Sequence, residues 1–177
     1  LEIKDYAKAV DFYKHLVMYS DDPKERLEAQ KRVATIYFEN LTNYPMAIEE
    51  YSKLIKLQPS NEESFDFRLN IAKSYFQMNK FDQARIESDE LLEKKLDQDQ
   101  KFDVMMFKGN LLLTEKKLDE AIQTFNQIMS QFKEKANKEN VGLTIAVCYE
   151  EKGDLKKAIE VLQGLRETYS PPEFIDF

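Results

Sequence analysis

One cysteine, one histidine and no tryptophan stand among the 177 residues of this chain. A lone cysteine forms no internal disulfide, so the redox compartment is unreadable. One histidine and one cysteine give no convergent donor set, so no metal site or cofactor is expected. Only four glycines occur, and Gly109, Gly142, Gly153 and Gly164 are scattered singly, which excludes a phosphate-cradling loop. No apolar run approaches the roughly 18 residues that span a bilayer, so no direct membrane insertion is expected. Basic residues are outnumbered too: 26 Lys and Arg face 33 Asp and Glu, for a net charge of −7. Nucleic-acid partners, which call for a basic patch or stripe, are excluded on that ground. Localisation is unknown from these residues, whether cytoplasmic or periplasmic.

What the chain does have is a register. Ala9, Ala47, Ala84, Ala121 and Ala158 follow one another at intervals of 38, 37, 37 and 37 residues. Three residues before each alanine lies Tyr6, Tyr44, Phe81, Leu118 or Leu155, and seven after it lies Leu16, Leu54, Leu91, Ile128 or Leu165. A fixed period of this length marks stacked helical repeats, each too small to bury its own apolar face. A second register precedes it: Ala34/Tyr37, Ala72/Tyr75, Gly109/Leu112 and Ala146/Tyr149 pair a small residue with a large one three places on. Small residues there let helices approach closely, and Gly109 and Gly142 are best explained that way.

Each period therefore splits into two amphipathic helices. The expected layout is an orphan second helix over 4–19, helix pairs over 23–58, 61–96, 98–134 and 137–169, and a tail over 170–177. Within the pairs, first helices end near 40, 78, 115 and 152. Ser60-Asn61-Glu62-Glu63 reads as a capping box, and Asp22-Pro23 as a cap followed by proline at the first helical position. Gly153 sits where a first helix should stop in the left-handed conformation. The turn Glu39–Asn43 is one residue longer than its counterparts, which accounts for the single interval of 38. The chain begins inside a repeat, which suggests a piece of a longer protein.

Catalytic residues are not evident. His15 lies on the orphan helix with no nucleophile or acid beside it in the pattern, so a surface role outweighs general-base work. Cys148, between Val147 and Tyr149, reads as a buried small filler rather than a nucleophile. The numerous carboxylates alternate with lysines at helical spacing, as solvated faces do.

Stretches such as Ala72-Lys73-Ser74-Tyr75 with Phe81-Asp82-Gln83-Ala84, and Ala146-Val147-Cys148-Tyr149 with Leu155-Lys156-Lys157-Ala158, resemble the tetratricopeptide repeat over essentially residues 4–170. The usual period is about 34 residues, and the added three make close to one helical turn. Repeats of this longer period resemble those of bacterial envelope and assembly proteins. The family's early aromatic is replaced here by Gln30, Arg68, Met105 and Gly142. The resemblance implies an all-α, right-handed superhelical solenoid of antiparallel helix pairs, whose first helices line a concave groove. By the same resemblance the groove of this chain is carried by Lys31, Thr35, Phe38, Leu69, Lys73, Phe76, Met106, Asn110, Leu113, Leu143 and Val147.

The implied function is that of a non-enzymatic protein–protein interaction scaffold. It would take a helical or extended peptide segment by apolar anchors. Acidic neighbours Glu28, Glu39, Asp66, Asp103, Glu150 and Glu151 outnumber Lys31 and Lys73, which favours a segment with basic flanks. The family's basic clamp for a C-terminal carboxylate is not reproduced by Lys31, Lys73 and Asn110. Two alternatives stay open: the stripe is covered within the chain itself, by a missing helix that fills the groove or by a superhelix tight enough to bury it, or the array is a structural spacer. In the second case uncapped ends make the contacts, with homo-oligomerisation among them.

Overall fold

A computed structural model of the chain describes residues 3–57, 60–132 and 138–169, and their regular structure is entirely helical. Two compact units divide it. The first, Leu1–Lys94, holds α1 (Ile3–Tyr19), α2 (Pro23–Thr35), α3 (Tyr44–Lys56), α4 (Asn61–Gln77) and α5 (Phe81–Leu92). The second, Lys95–Phe177, holds α6 (Gln98–Thr114), α7 (Leu118–Gln131), α8 (Lys138–Glu151) and α9 (Leu155–Tyr169). Within the first unit α1 packs on α2, α2 on α3, α3 on α4 and α4 on α5; within the second α6 packs on α7, α7 on α8 and α8 on α9. The expected tail over 170–177 lies outside the described residues.

Helix starts follow their caps. Asp22 accepts from the Lys24 N–H at 2.9 Å, with Pro23 at the first helical position, where a missing N–H costs nothing. At Ser60 the capping box closes both ways, the Glu63 N–H reaching Ser60 Oγ at 3.3 Å and the Ser60 N–H reaching Glu63 Oε2 at 3.3 Å. A second box opens α6: Asp97 accepts from the Asp99 and Gln100 N–H groups, each at 2.8 Å, while Gln100 Oε1 takes the Asp97 N–H at 3.2 Å. This cap corrects the expected extent of α5. An extended Asp97 (φ −73°, ψ 177°) draws the chain out of helix beforehand, so α5 ends at Leu92 instead of running to 96.

The turns inside the pairs share one design. In three of them the carbonyl of the large register residue accepts from the N–H five places on: Tyr75 from Lys80, Leu112 from Lys117 and Tyr149 from Asp154, each at 2.9 Å. Before that donor sits a left-handed residue, Asn79 (φ 57°), Lys116 (φ 60°) or Gly153 (φ 81°). In the first pair the Tyr37 carbonyl accepts instead from Asn43, six places on, at 2.8 Å, and the left-handed residue is Thr42 (φ 48°). The extra residue of the 38-residue interval does not simply lengthen a turn. It is taken up by Ile36–Asn40, which continues α2 as a π-helical stretch closed by the Leu41 N–H on the Ile36 carbonyl at 2.9 Å.

The register residues form the core. Ala47, Ala84 and Ala121 are completely buried, as are Leu54 and Ile128 seven places after two of them. In the first unit, Ala34, Ala47, Tyr51, Leu54, Phe67 and Ile71 make one cluster, and Val10, Val33 and Ile36 make another. Gly109 and Gly142 mark close approach, as expected. A Cβ on Gly109 would lie 2.6 Å from Phe125 Cε1, and one on Gly142 would lie 2.6 Å from Leu165 Cδ2.

Where the family has its early aromatic, this chain substitutes pairings specific to each repeat. Gln30 of α2 donates to Glu50 of α3, whose carboxylate is buried and also accepts from Lys53 at 3.1 Å. One repeat on, Arg68 of α4 faces Glu90 at 4.0 Å and acts electrostatically on Glu87, the register mate of Glu50. Met105 is buried, and Gly142 receives Leu165. A bulky ring is replaced twice by a polar couple and twice by apolar packing.

Candidate partner-binding surface

The residues expected to line a groove divide between the two units, and the units treat them differently. In the first unit most are already engaged. The Lys31 ammonium lies 2.8 Å from Glu28 and 2.6 Å from Glu63, and hydrogen bonds to both raise its pKa. That cation is committed to its neighbours on α2 and α4. Thr35 and Asn70 both hydrogen-bond the Tyr51 hydroxyl, the latter at 3.2 Å, so Thr35 helps to hold a core ring in place. Desolvation of that hydroxyl pushes the Tyr51 pKa up, and the two hydrogen bonds oppose it.

Phe38 packs edge-on to Tyr44 at 6.0 Å and to Tyr51 at 6.4 Å, half-buried against the first cluster. Phe76 is likewise half-buried, its ring 5.8 Å from Phe81. Leu69 is only 5% exposed, so it belongs to the interior and offers nothing to a ligand in this structure. Lys73 is half-buried on α4.

The second unit leaves apolar surface open. Leu143 and Val147, four residues apart on α8, are 43% and 44% exposed. Their register mates on α6, Met106 and Asn110, are half-buried and exposed, and Leu113 is half-buried. Four residues is one helical turn, so Leu143 and Val147 stand one above the other on the same face. Val147 is the more telling of the two. Its mates Thr35, Lys73 and Asn110 are all polar and none is buried, so an apolar valine here replaces what three earlier repeats keep hydrophilic. Around it, Glu150 is exposed while Glu151 is taken by Lys116 at 2.7 Å. Lys152 pairs with Asp119, so the two turns of this unit are tied by crossed ion pairs.

The two residues weighed for chemistry lie apart, on α1 and α8. His15 is exposed on α1 with its ring 4.6 Å from Tyr19. Cys148 is completely buried, and burial raises its thiol pKa, which keeps it a packing group. Among the described residues no three His, Cys, Asp or Glu side chains converge on a cation-sized site, and no helix is long and apolar enough to cross a membrane.

Sequence reasoning missed a cavity of about 380 Å³ in the first unit, lined by Val17, Pro23, Arg26, Leu27, Gln30, Lys53 and Leu57. Its walls come from α1, α2 and α3, and of its lining residues Gln30 alone is singled out by the register. The Arg26 guanidinium is held on the Ser20 carbonyl at 2.9 Å, and Lys53 on Glu49 at 2.7 Å.

Comparison with known proteins agrees with this architecture. No curated protein sequence matches the chain significantly. Among solved structures it is similar to BtubC from P. vanneervenii, with a TM-score of 0.71 and 18% identity over 92% of this chain and 72% of that one. It is similar to YrrB, described as a TPR protein with an unusual peptide-binding site, with a TM-score of 0.65, 16% identity, and coverage of 97% and 81%. It is also similar to the Rap conjugation gene regulator of the plasmid pLS20, solved in complex with the Phr* peptide. That match has a TM-score of 0.64 and 16% identity over 93% of this chain and 49% of the regulator. Residues 60–174, more than half of the chain, match the model of one protein family. With its paired helices, its alanine register and that match, the chain belongs to the Tetratricopeptide repeat protein 21 ARM repeat family.

Proposed function

We propose that this protein is a non-enzymatic interaction scaffold that takes a helical or extended segment of another protein on the exposed surfaces of its first helices. The observation that carries the proposal is the pair Leu143 and Val147, large apolar side chains more than two-fifths exposed on α8. An exposed apolar stripe on a first helix is stabilised by a partner and costs solubility without one. Two similar folds, YrrB and the Rap regulator, are described with peptides, which supports the same use here. A helical-repeat fold with buried Cys148 and an isolated His15 supports binding over catalysis.

The segment should carry apolar anchors with basic flanks. Glu39, Asp103 and Glu150 are exposed at groove positions, whereas Lys31 is already neutralised by two carboxylates. In the first unit Phe38, Phe76 and Lys73 are half-buried. The segment therefore finds its main apolar anchor sites on α8, at Leu143 and Val147, with Met106, Asn110 and Leu113 of α6 beside them in the register.

Panning a random peptide display library on the protein tests this. Enriched peptides should be apolar with basic flanks, and Val147→Glu should weaken their binding about tenfold or more while helical circular dichroism is unchanged. No enrichment, or binding indifferent to Val147→Glu, contradicts the proposal. The competing reading, an element that self-associates through its ends, draws on Phe12, Met18 and Tyr19, which are exposed on α1. Sedimentation showing association that Phe12→Ser with Tyr19→Ser abolishes would favour it.

A further inference from the structure

The cavity between α1, α2 and α3 lies beside an exchange of side chains that the register exposes. Leu27 of α2 stands where the next two repeats place Phe65 and Phe102. Phe65 is only 6% exposed, and the Phe102 ring packs edge-on to Phe132 at 5.5 Å, so both rings are taken into the packing. Leu27 is half-buried and smaller. It leaves room where its mates put a phenyl ring, and about 380 Å³ stands open beside it.

The rest of the lining changes in the same repeat. Leu57, 63% exposed, replaces the hydrophilic Lys94 and Gln131 of later repeats, and Lys53 replaces Glu90 and Gln127. Val17, Leu27 and Leu57 supply apolar wall, while the charged members, Arg26 and Lys53, are both cations in a chain whose acids outnumber its bases. Neither cation has exhausted its donors. Arg26 gives one N–H to the Ser20 carbonyl and has no carboxylate partner among the described residues. Lys53 keeps a third N–H beyond those that Glu49 and Glu50 take. The acids nearest to Arg26 in sequence are used elsewhere, since Asp22 caps α2 and Glu25 accepts from the Ser20 hydroxyl.

We infer that this cavity binds a small aromatic carboxylate, its ring beside Leu27, where later repeats carry rings of their own, and its carboxylate on Arg26 and Lys53. Apolar space left by a missing ring accepts a free one, as benzene enters apolar cavities of roughly 150 Å³. An apolar wall with a few polar groups to fix orientation is the usual make-up of a small-molecule site. The cations set the charge of the head group. A carboxylate gains charge-assisted hydrogen bonds from them, whereas an amine would meet like charge. The site belongs to the first unit and shares no residue with the Leu143 and Val147 surface, so each proposal stands or fails without the other.

The test adds 3-phenylpropanoate to the full chain and follows it by methyl-resolved NMR. The expected result is saturable one-to-one shifts at the methyl groups of Val17, Leu27 and Leu57. Arg26→Gln should weaken that binding about tenfold. On the unaltered protein, 3-phenylpropanamide, which keeps the ring and loses the charge, should bind about tenfold more weakly. Hexanoate, which keeps the charge and loses the ring, should also bind less tightly. Leu27→Phe, which restores the ring of the later repeats, should abolish binding with helical circular dichroism unchanged. No saturable shifts, shifts confined to other methyl groups, amide or hexanoate bound as tightly as 3-phenylpropanoate, or undiminished binding by Leu27→Phe overturns the proposal. Should Leu27→Phe fail to fold, the three ligands compared on the unaltered protein decide.

Discussion

At the residue scale the most informative positions are those where backbone or space dictates the choice. Thr42 holds a left-handed φ of 48° with a β-branched side chain, at a place where the last pair uses Gly153. Left-handed backbone costs an L-residue roughly 1–2 kcal/mol, so Thr42→Gly should raise the thermal midpoint and Gly153→Ala should lower it. Nothing lies within 4 Å of a Cβ built on Gly153, so the second loss would come from φ alone. Gly109→Ala is a different kind of test. Its Cβ would meet the ring of fully buried Phe125, an overpacking worth about 1–3 kcal/mol. Phe125→Leu in the same chain should recover part of that loss in denaturant unfolding. Glu87 supplies a pH test: burial and then the Glu90 charge raise its pKa, against a lowering by Arg68. A raised carboxyl favours the folded state when protonated, so stability falls as pH climbs through its folded pKa. Glu87→Gln should therefore raise the midpoint near pH 7 and have little effect below about pH 4, as thermal scans across that range would show.

At the element scale, helix starts and turns were legible in the sequence because their chemistry is local. Ser60 with Glu63, Asp22 with Pro23, and Gly153 each behave as their residue types require. Asp97 with Gln100 is the same box, but its glutamine arm hides among other polar residues, and α5 consequently stops before 96. The π-helical stretch at Ile36–Asn40 could not be read at all. A one-residue insertion says that a helix end must accommodate something, not whether turn or helix does so. Each capping box should be worth about 1 kcal/mol, so Ser60→Ala and Asp97→Ala should each shift the denaturation midpoint by a comparable amount. An unchanged midpoint in either variant would mean that packing, not the cap, sets that boundary.

At the scale of the molecule, a repeated register makes the fold transparent and the binding surface opaque. Periodicity identifies which residues face a neighbour, because Ala47, Ala84 and Ala121 must all be buried for the same reason. Family positions then mark a first-helix surface, but they do not say which members the core has claimed. Leu69 is interior, Phe38 and Phe76 lean on neighbouring rings, and Lys31 is spent on Glu28 and Glu63. Those outcomes depend on side chains from other helices, which no single repeat encodes. What remains open, Leu143 with Val147, is the centre of the functional reading. The measurement that tests it most directly is a methyl-resolved NMR titration of the protein with a display-selected peptide. The account predicts saturable shifts at the methyl groups of Met106, Leu113, Leu143 and Val147, with Ala47 and Ala121 unmoved in the core. Shifts confined to the methyl group of Met18 on α1, or to those of Leu155, Ile159 and Leu162 on α9, would contradict it.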